Sequence, residues 1–303
     1  MEYPFKNLVF EGGGVKGVAY GGALNVLDKR GILSGIERVG GTSAGAITAT
    51  LLALDYSAEY IKELMLHLDF TRFKDGSLFG DIERFFTKYG WYKGEVFLEF
   101  IQNQIADKLH HKDATFHDLI EHGFRDLYVV GTDLSAQTDR VFSHETTPDL
   151  PIADAVRISM SIPLFFASRK LGGSVYVDGG VVRNYPLGLF DSTKTDPANP
   201  GRQVREANQK TLGFHLGKNI IETHDISDLD EYAGNLFETI LAVQDIALMD
   251  NADDVARTVF INVLGIKSTD FGITTEQKLD LIKKGHEATA NYLRARFPGG
   301  AGE

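Results

Sequence analysis

Gly41-Thr42-Ser43-Ala44-Gly45 places a serine between two glycines, just after the apolar run 36–39 and just before the small-residue run 46–54. This G-x-S-x-G spacing reads as a nucleophile elbow, a sharp turn from a strand into a helix. A serine hydroxyl becomes a useful nucleophile when it is exposed, aimed and relieved of its proton as it attacks. The turn exposes and aims it, and small neighbours let the backbone make that turn without clashes. The following helix points its free amides and positive dipole end at an oxyanion forming beside the serine. Taken alone, the same five residues also fit a glycine-rich turn with an N-cap serine.

A second glycine cluster, Phe10-Glu11-Gly12-Gly13-Gly14-Val15-Lys16-Gly17, follows the first apolar run and opens the first helical pattern. Gly12, Gly14 and Gly17 spell G-x-G-x-x-G, the dinucleotide fingerprint. That fingerprint wants an acid at the carboxyl end of the next strand to hold a ribose, whereas Glu37 opens its strand. The phosphate-loop pattern G-x-x-x-x-G-K-[ST] is missing. A purely structural turn is another reading. A third joins the two motifs. In an open parallel sheet, active groups gather beyond the strands' carboxyl ends, so bare amides of Gly13 and Gly14 can face an oxyanion at Ser43. Lys16 either holds substrate phosphate or is solvated on the helix's outer face.

A proton acceptor for Ser43 is the next requirement. Val175-Tyr176-Val177-Asp178-Gly179-Gly180 ends a strand pattern in an aspartate followed by two glycines. Asp178 is either a turn residue or the base, acting directly or through a histidine. A Ser…Asp…His order needs His215, His224 or His286; His215 falls in a strand pattern and His286 in a helix pattern, leaving His224 in a loop. The pair His110-His111 lacks the i,i+4 spacing and carboxylate of a helical zinc site, and no metal is predicted.

Four blocks together resemble the patatin-like phospholipase family: FEGGGVKG (10–17), GTSAG (41–45), RISMSIPLFF (157–166), and DGG (178–180) with Asn184 and Pro186 after it. Their order and spacing agree over about residues 8–190. The resemblance implies a three-layer α/β/α fold with a mostly parallel central sheet. It implies Ser43 as nucleophile, Asp178 as base without histidine, and Gly12, Gly13 and Gly14 as the oxyanion hole. It also implies hydrolysis of acyl esters in phospholipids or lysophospholipids through an acyl-enzyme, with no calcium or other cofactor. Lys16 stands where the family usually has Arg or Lys, and Arg157, Ser159, Ser161 and Pro163 are read as shaping the site. An acyltransferase of related fold is an alternative, but Thr42 stands where its G-H-S-x-G histidine would be. A catalytically silent lipid-binding module is another.

Composition narrows the partners. The 303 residues carry 42 acids against 31 Lys and Arg, a net charge of −11, which argues against nucleic acid and against tight docking on anionic lipid. Lys and Arg are scattered, and no basic patch is visible. With no Cys, disulfides and thiolate sites are excluded. Neither a secretory leader nor a long apolar span is present, which predicts a soluble protein, cytoplasmic or peripheral at membranes; if exported, it does not use a cleaved amino-terminal signal. Strand patterns at 8–10, 36–39, 127–130, 175–177, 212–215 and 259–263 alternate with helical ones at 19–30, 58–68, 95–109, 116–121, 152–160, 229–249 and 276–297. One domain, 1–303, is expected, with a polar surface loop or disordered excursion over 193–209, a helical part over 220–297 that is open to a protein activator, and a frayed tail from 299. Ten aromatics lie in 70–100, among them Trp91, Phe79 and Phe86; they form either a subdomain core or a lid around an acyl pocket.

Overall fold

The computed structural model describes residues 3–76, 85, 87–197, 199–217 and 226–298. Its strands are β1 (Asn7–Phe10), β2 (Arg38–Thr42), β3 (Gly90–Tyr92), β4 (Asp126–Asp133), β5 (Thr138–Phe142), β6 (Leu164–Phe166), β7 (Arg169–Leu171), β8 (Ser174–Asp178), β9 (Ser192–Asp196), β10 (Asn199–Glu206), β11 (Thr211–Gly217) and β12 (Thr258–Asn262). Its helices are α1 (Ala19–Lys29), α2 (Ala44–Ala53), α3 (Ala58–His67), α4 (Glu95–Leu109), α5 (Phe116–Glu121), α6 (Ile152–Ser159), α7 (Leu229–Met249), α8 (Ala252–Ala256) and α9 (Thr275–Arg296).

The central sheet runs β12-β11-β1-β2-β4-β8-β7, with β5 also on β4. Its first five strands are parallel; β5 and β8 run antiparallel to β4, and β7, antiparallel to β8, runs in the direction of the first five. Helices flank it in the three-layer α/β/α arrangement that the alternating pattern predicts. The pleat divides the core between the two faces. Leu8, Phe10 and Val129 join the main cluster, while Val9 and Tyr128 pack with Phe190 in a small one. All six predicted strands are present. The helix caps follow the local sequence: Thr115 with Asp118 and Thr274 with Gln277 each form a capping box, opening α5 and α9.

One expectation needs correction. Segment 193–209 is largely an exposed antiparallel ribbon of β9 and β10 rather than a loop. Polar strands wet on both faces carry no hydrophobic period, so the pattern could not reveal them. Cross-strand pairs hold the ribbon, including Lys194 to Glu206 at 2.9 Å. In this mostly parallel sheet β8 runs antiparallel to its neighbour β4.

That reversal positions the site. β2 pairs with the first half of β4 and ends with Thr42 opposite Val130. β8 pairs with the next stretch of β4, from the opposite direction, and ends with Asp178 opposite Gly131. Two strands therefore run into one another end to end along β4, and the residues at their tips, Ser43 and Asp178, are brought together.

Candidate active site

Ser43 sits between β2 and α2 with φ 52° and ψ −123°, a strained conformation for a residue with a Cβ. Its N–H donates to Ser159 Oγ at 2.8 Å, and that hydroxyl donates to the Val130 carbonyl at 2.6 Å. Ser159, at the end of α6, thus pins the elbow to β4. The flanking glycines are required sterically. A Cβ on Gly41 would meet the Gly45 backbone, and one on Gly45 would meet the Phe10 and Glu11 carbonyls.

Asp178 is fully buried. Its Oδ1 accepts the Gly180 N–H at 2.7 Å, while Oδ2 has no hydrogen-bond donor among the described residues. Burial pushes the Asp178 carboxyl up to about 7, opposed by the Gly180 amide and by the Ser43 hydroxyl beside it. The Ser43 hydroxyl itself rests on the Met160 sulfur at 3.4 Å. Sulfur is a weak acceptor, so the proton is not committed to it. A carboxylate with one idle oxygen, titrating near neutrality beside a strained serine, is equipped to accept a proton.

The glycine loop lies against this pair. A Cβ on Gly12 would come within 3.2 Å of the Ser43 Cβ. The Gly12 N–H is already given to the Asn184 carbonyl at 3.1 Å. Among the described residues Gly13 and Gly14 donate their N–H groups to nothing, so these two are the amides free for an oxyanion. Gly14 has φ +53°, and a Cβ there would overlap the Ser268 carbonyl. Asn184 organises the loop: its Nδ2 donates to Glu11 Oε1 at 2.9 Å and to the Gly12 carbonyl at 3.1 Å. Gln244 of α7 ties this assembly to the aspartate turn, accepting from Asn184 N at 2.8 Å and donating to the Gly180 carbonyl at 2.8 Å. Gln244 carries no sequence signal, because it lies in a long helix remote from the four blocks. Asn184→Ala is expected to lower kcat about 10²-fold with KM little changed, since the loop loses its tether rather than a substrate contact. Steady-state kinetics on a soluble ester, with the melting temperature as a folding control, checks this.

Lys16 is not solvated on the helix's outer face. It is 3% exposed, and its Nζ lies 3.5 Å from Glu238 Oε1 of α7. The helix buries the face that a periodicity argument left open. His215 belongs to a neighbouring charged group. Its Nε2 is 3.0 Å from Asp245 Oδ1 and 3.5 Å from Glu11 Oε1, and the two carboxylates raise the pKa of the imidazole against the opposing effect of burial. Glu11, His215 and Asp245 have metal-like spacing. Both Glu11 oxygens, however, already accept from Asn184 and the Leu216 N–H, so the cluster reads as a buried ion pair. Among the described residues no histidine hydrogen-bonds to Ser43 or Asp178, and His286 lies on α9. His224 lies outside the described residues, as do Phe79 and Phe86. Of the other aromatics, Phe73 and Phe97 are buried with Phe100 against them, and Trp91 packs on Phe85 at 4.9 Å.

With this geometry in place, comparison with known proteins decides the family. The patatin-like phospholipase family matches residues 8–191, the span that holds both motifs, the β2–β8 junction and Asn184. The chain belongs to the patatin-like phospholipase family. An uncharacterized protein, YqhO of Bacillus subtilis, is 32% identical over 94% of this chain and 97% of its own. A probable lipid hydrolase, 463L of Invertebrate iridescent virus 6, is 29% identical over 61% of this chain and 63% of its own. The fold is similar to that of VipD from Legionella pneumophila, with a TM-score of 0.64, 21% identity, and coverage of 97% of this chain and 67% of that one. Helices 229–249 and 275–296 lie beyond the family match, yet α7 supplies Gln244 to the site.

Proposed function

We propose that this patatin-like protein is a serine hydrolase of phospholipid or lysophospholipid acyl esters, working through a Ser43–Asp178 dyad. The observation that carries the reading is the buried Asp178 carboxylate, its Oδ2 unpartnered and its pKa at about 7, beside the elbow serine. Ser43 Oγ attacks the ester carbonyl carbon while Asp178 Oδ2 takes its proton. The Gly13 and Gly14 amides hold the oxyanion of the tetrahedral intermediate. Collapse breaks the ester bond, and Asp178 returns the proton to the departing alcohol oxygen. Water then attacks the acyl-enzyme, giving its proton to Asp178, and collapse returns that proton to Ser43 as the fatty acid leaves. Ser43 is 2% exposed, so a lipid ester reaches it only after its cover yields.

The proton balance fixes the pH dependence. Asp178 must be ionised to act as base, and its pKa is about 7. On a soluble ester, kcat/KM is expected to fall about tenfold per unit below that pH and to level off above it. A pH–rate profile checks this; activity sustained down to the ordinary range of an exposed aspartate rules out a buried Asp178 as base.

A further inference from the structure

We propose that a basic pocket lined by neither Ser43 nor Asp178 binds a phosphomonoester. The pocket, about 660 Å³, is lined by Lys88, Lys93, Arg157, Arg169 and Lys170, with Glu95 the one carboxylate residue in the wall among the described residues. The charge balance there opposes that of the whole chain, which is −11. Arg169 is partly neutralised by Asp154 at 2.9 Å and Glu95 at 3.8 Å. Among the described residues Lys88, Lys93 and Lys170 have no acidic partner.

Arg157 is the decisive residue. It is 1% exposed, yet among the described residues every hydrogen bond it makes goes to a neutral oxygen. Nε donates to the Gly94 carbonyl at 3.0 Å and Nη1 to Ser161 Oγ at 2.7 Å. Nη2 donates to the Lys93 carbonyl at 2.6 Å and the Ala167 carbonyl at 3.1 Å. Its geometry is satisfied, but among the described residues no carboxylate hydrogen-bonds to it, and Glu95, Asp75 and Asp154 act on its charge only from a distance. Burial outweighs those distant carboxylates, so the guanidinium charge gains from an anion in direct contact. The open pocket in front of it, rimmed by three flexible lysines, is where such an anion fits. A phosphomonoester brings up to two charges and several acceptor oxygens, which suits several donors arranged around one space. The volume falls in the range of small-molecule sites and exceeds what one small ion fills. The pocket therefore takes a phosphorylated polar group, whether the head group of a lipid such as phosphatidic acid or a soluble phosphate ester.

Binding tests this without using hydrolysis. Inorganic pyrophosphate is titrated calorimetrically into the full chain and into a Lys88→Gln/Lys93→Gln/Lys170→Gln variant. Saturable binding is expected to weaken about tenfold or more in the variant and with added salt, while a Lys29→Gln/Lys112→Gln control binds like the parent. Co-sedimentation with phosphatidylcholine vesicles, with and without phosphatidic acid, separates the two sources. It is run in a Ser43→Ala background so that lipid is not consumed. Preference for phosphatidic acid that the lysine variant loses assigns a lipid head group; pyrophosphate binding without that preference assigns a soluble ester. If neither probe binds, or the control loses as much as the pocket variant, the site does not exist. Melting curves of all variants establish that each is folded.

Discussion

Ser43→Ala is expected to lower ester hydrolysis by roughly 10⁴–10⁶-fold and to abolish labelling by a fluorophosphonate. The size follows from the role. Without Oγ no acyl-enzyme forms, and only the amide cluster and substrate binding remain to accelerate direct attack by water. The substitution is conservative for the fold. Ser43 holds its position through its backbone N–H on Ser159, and its Oγ donates to the weak Met160 sulfur acceptor. The melting temperature should therefore change little. Persistent labelling of Ser43→Ala, located by mass spectrometry at another residue, would falsify the assignment of the nucleophile.

Asp178→Asn is expected to reduce turnover by roughly 10³–10⁴-fold while making the protein more stable at alkaline pH. The two effects have one cause. Burial raises the carboxyl from 3.8 in an ordinary setting to about 7 in the folded chain. Between those values the folded state keeps a proton that the unfolded state has released. Stability therefore falls as pH rises through that window, and above about 7 the full penalty of a buried charge is present. Asparagine keeps an acceptor oxygen for the Gly180 amide and carries no charge. The gain at pH 8 is of the order of a few kcal/mol and disappears near pH 4, where both forms are neutral in the folded chain. Thermal melts at the two pH values measure it. A variant that melts lower than the parent at pH 8 would mean that Asp178 is a structural ion, and the dyad would lose its base.

The elbow was readable because Gly41 and Gly45 are steric necessities of a local turn, and local sterics leave a local trace. The strand and helix alternation was readable for the same reason, since buried faces impose period and composition. Lys16 was not readable. Whether its face is wet or covered depends on α7, more than two hundred residues away in the chain, and its partner Glu238 follows no spacing rule. Gln244 escaped for the same reason. The polar β9–β10 ribbon escaped because cross-strand hydrogen bonds need no apolar residue.

By itself the chain determined the turn that strains Ser43, the bare amides of Gly13 and Gly14, and the aspartate ending a strand. These rest on backbone freedom within a few residues. Only the tertiary structure decided that β8 runs antiparallel and meets β2 tip to tip along β4, which sets Asp178 beside Ser43. Only it gathered Lys88, Lys93, Arg157, Arg169 and Lys170, scattered in sequence, around one pocket in an acidic protein. Charge acts through space, and separation along the chain does not set distance in the fold.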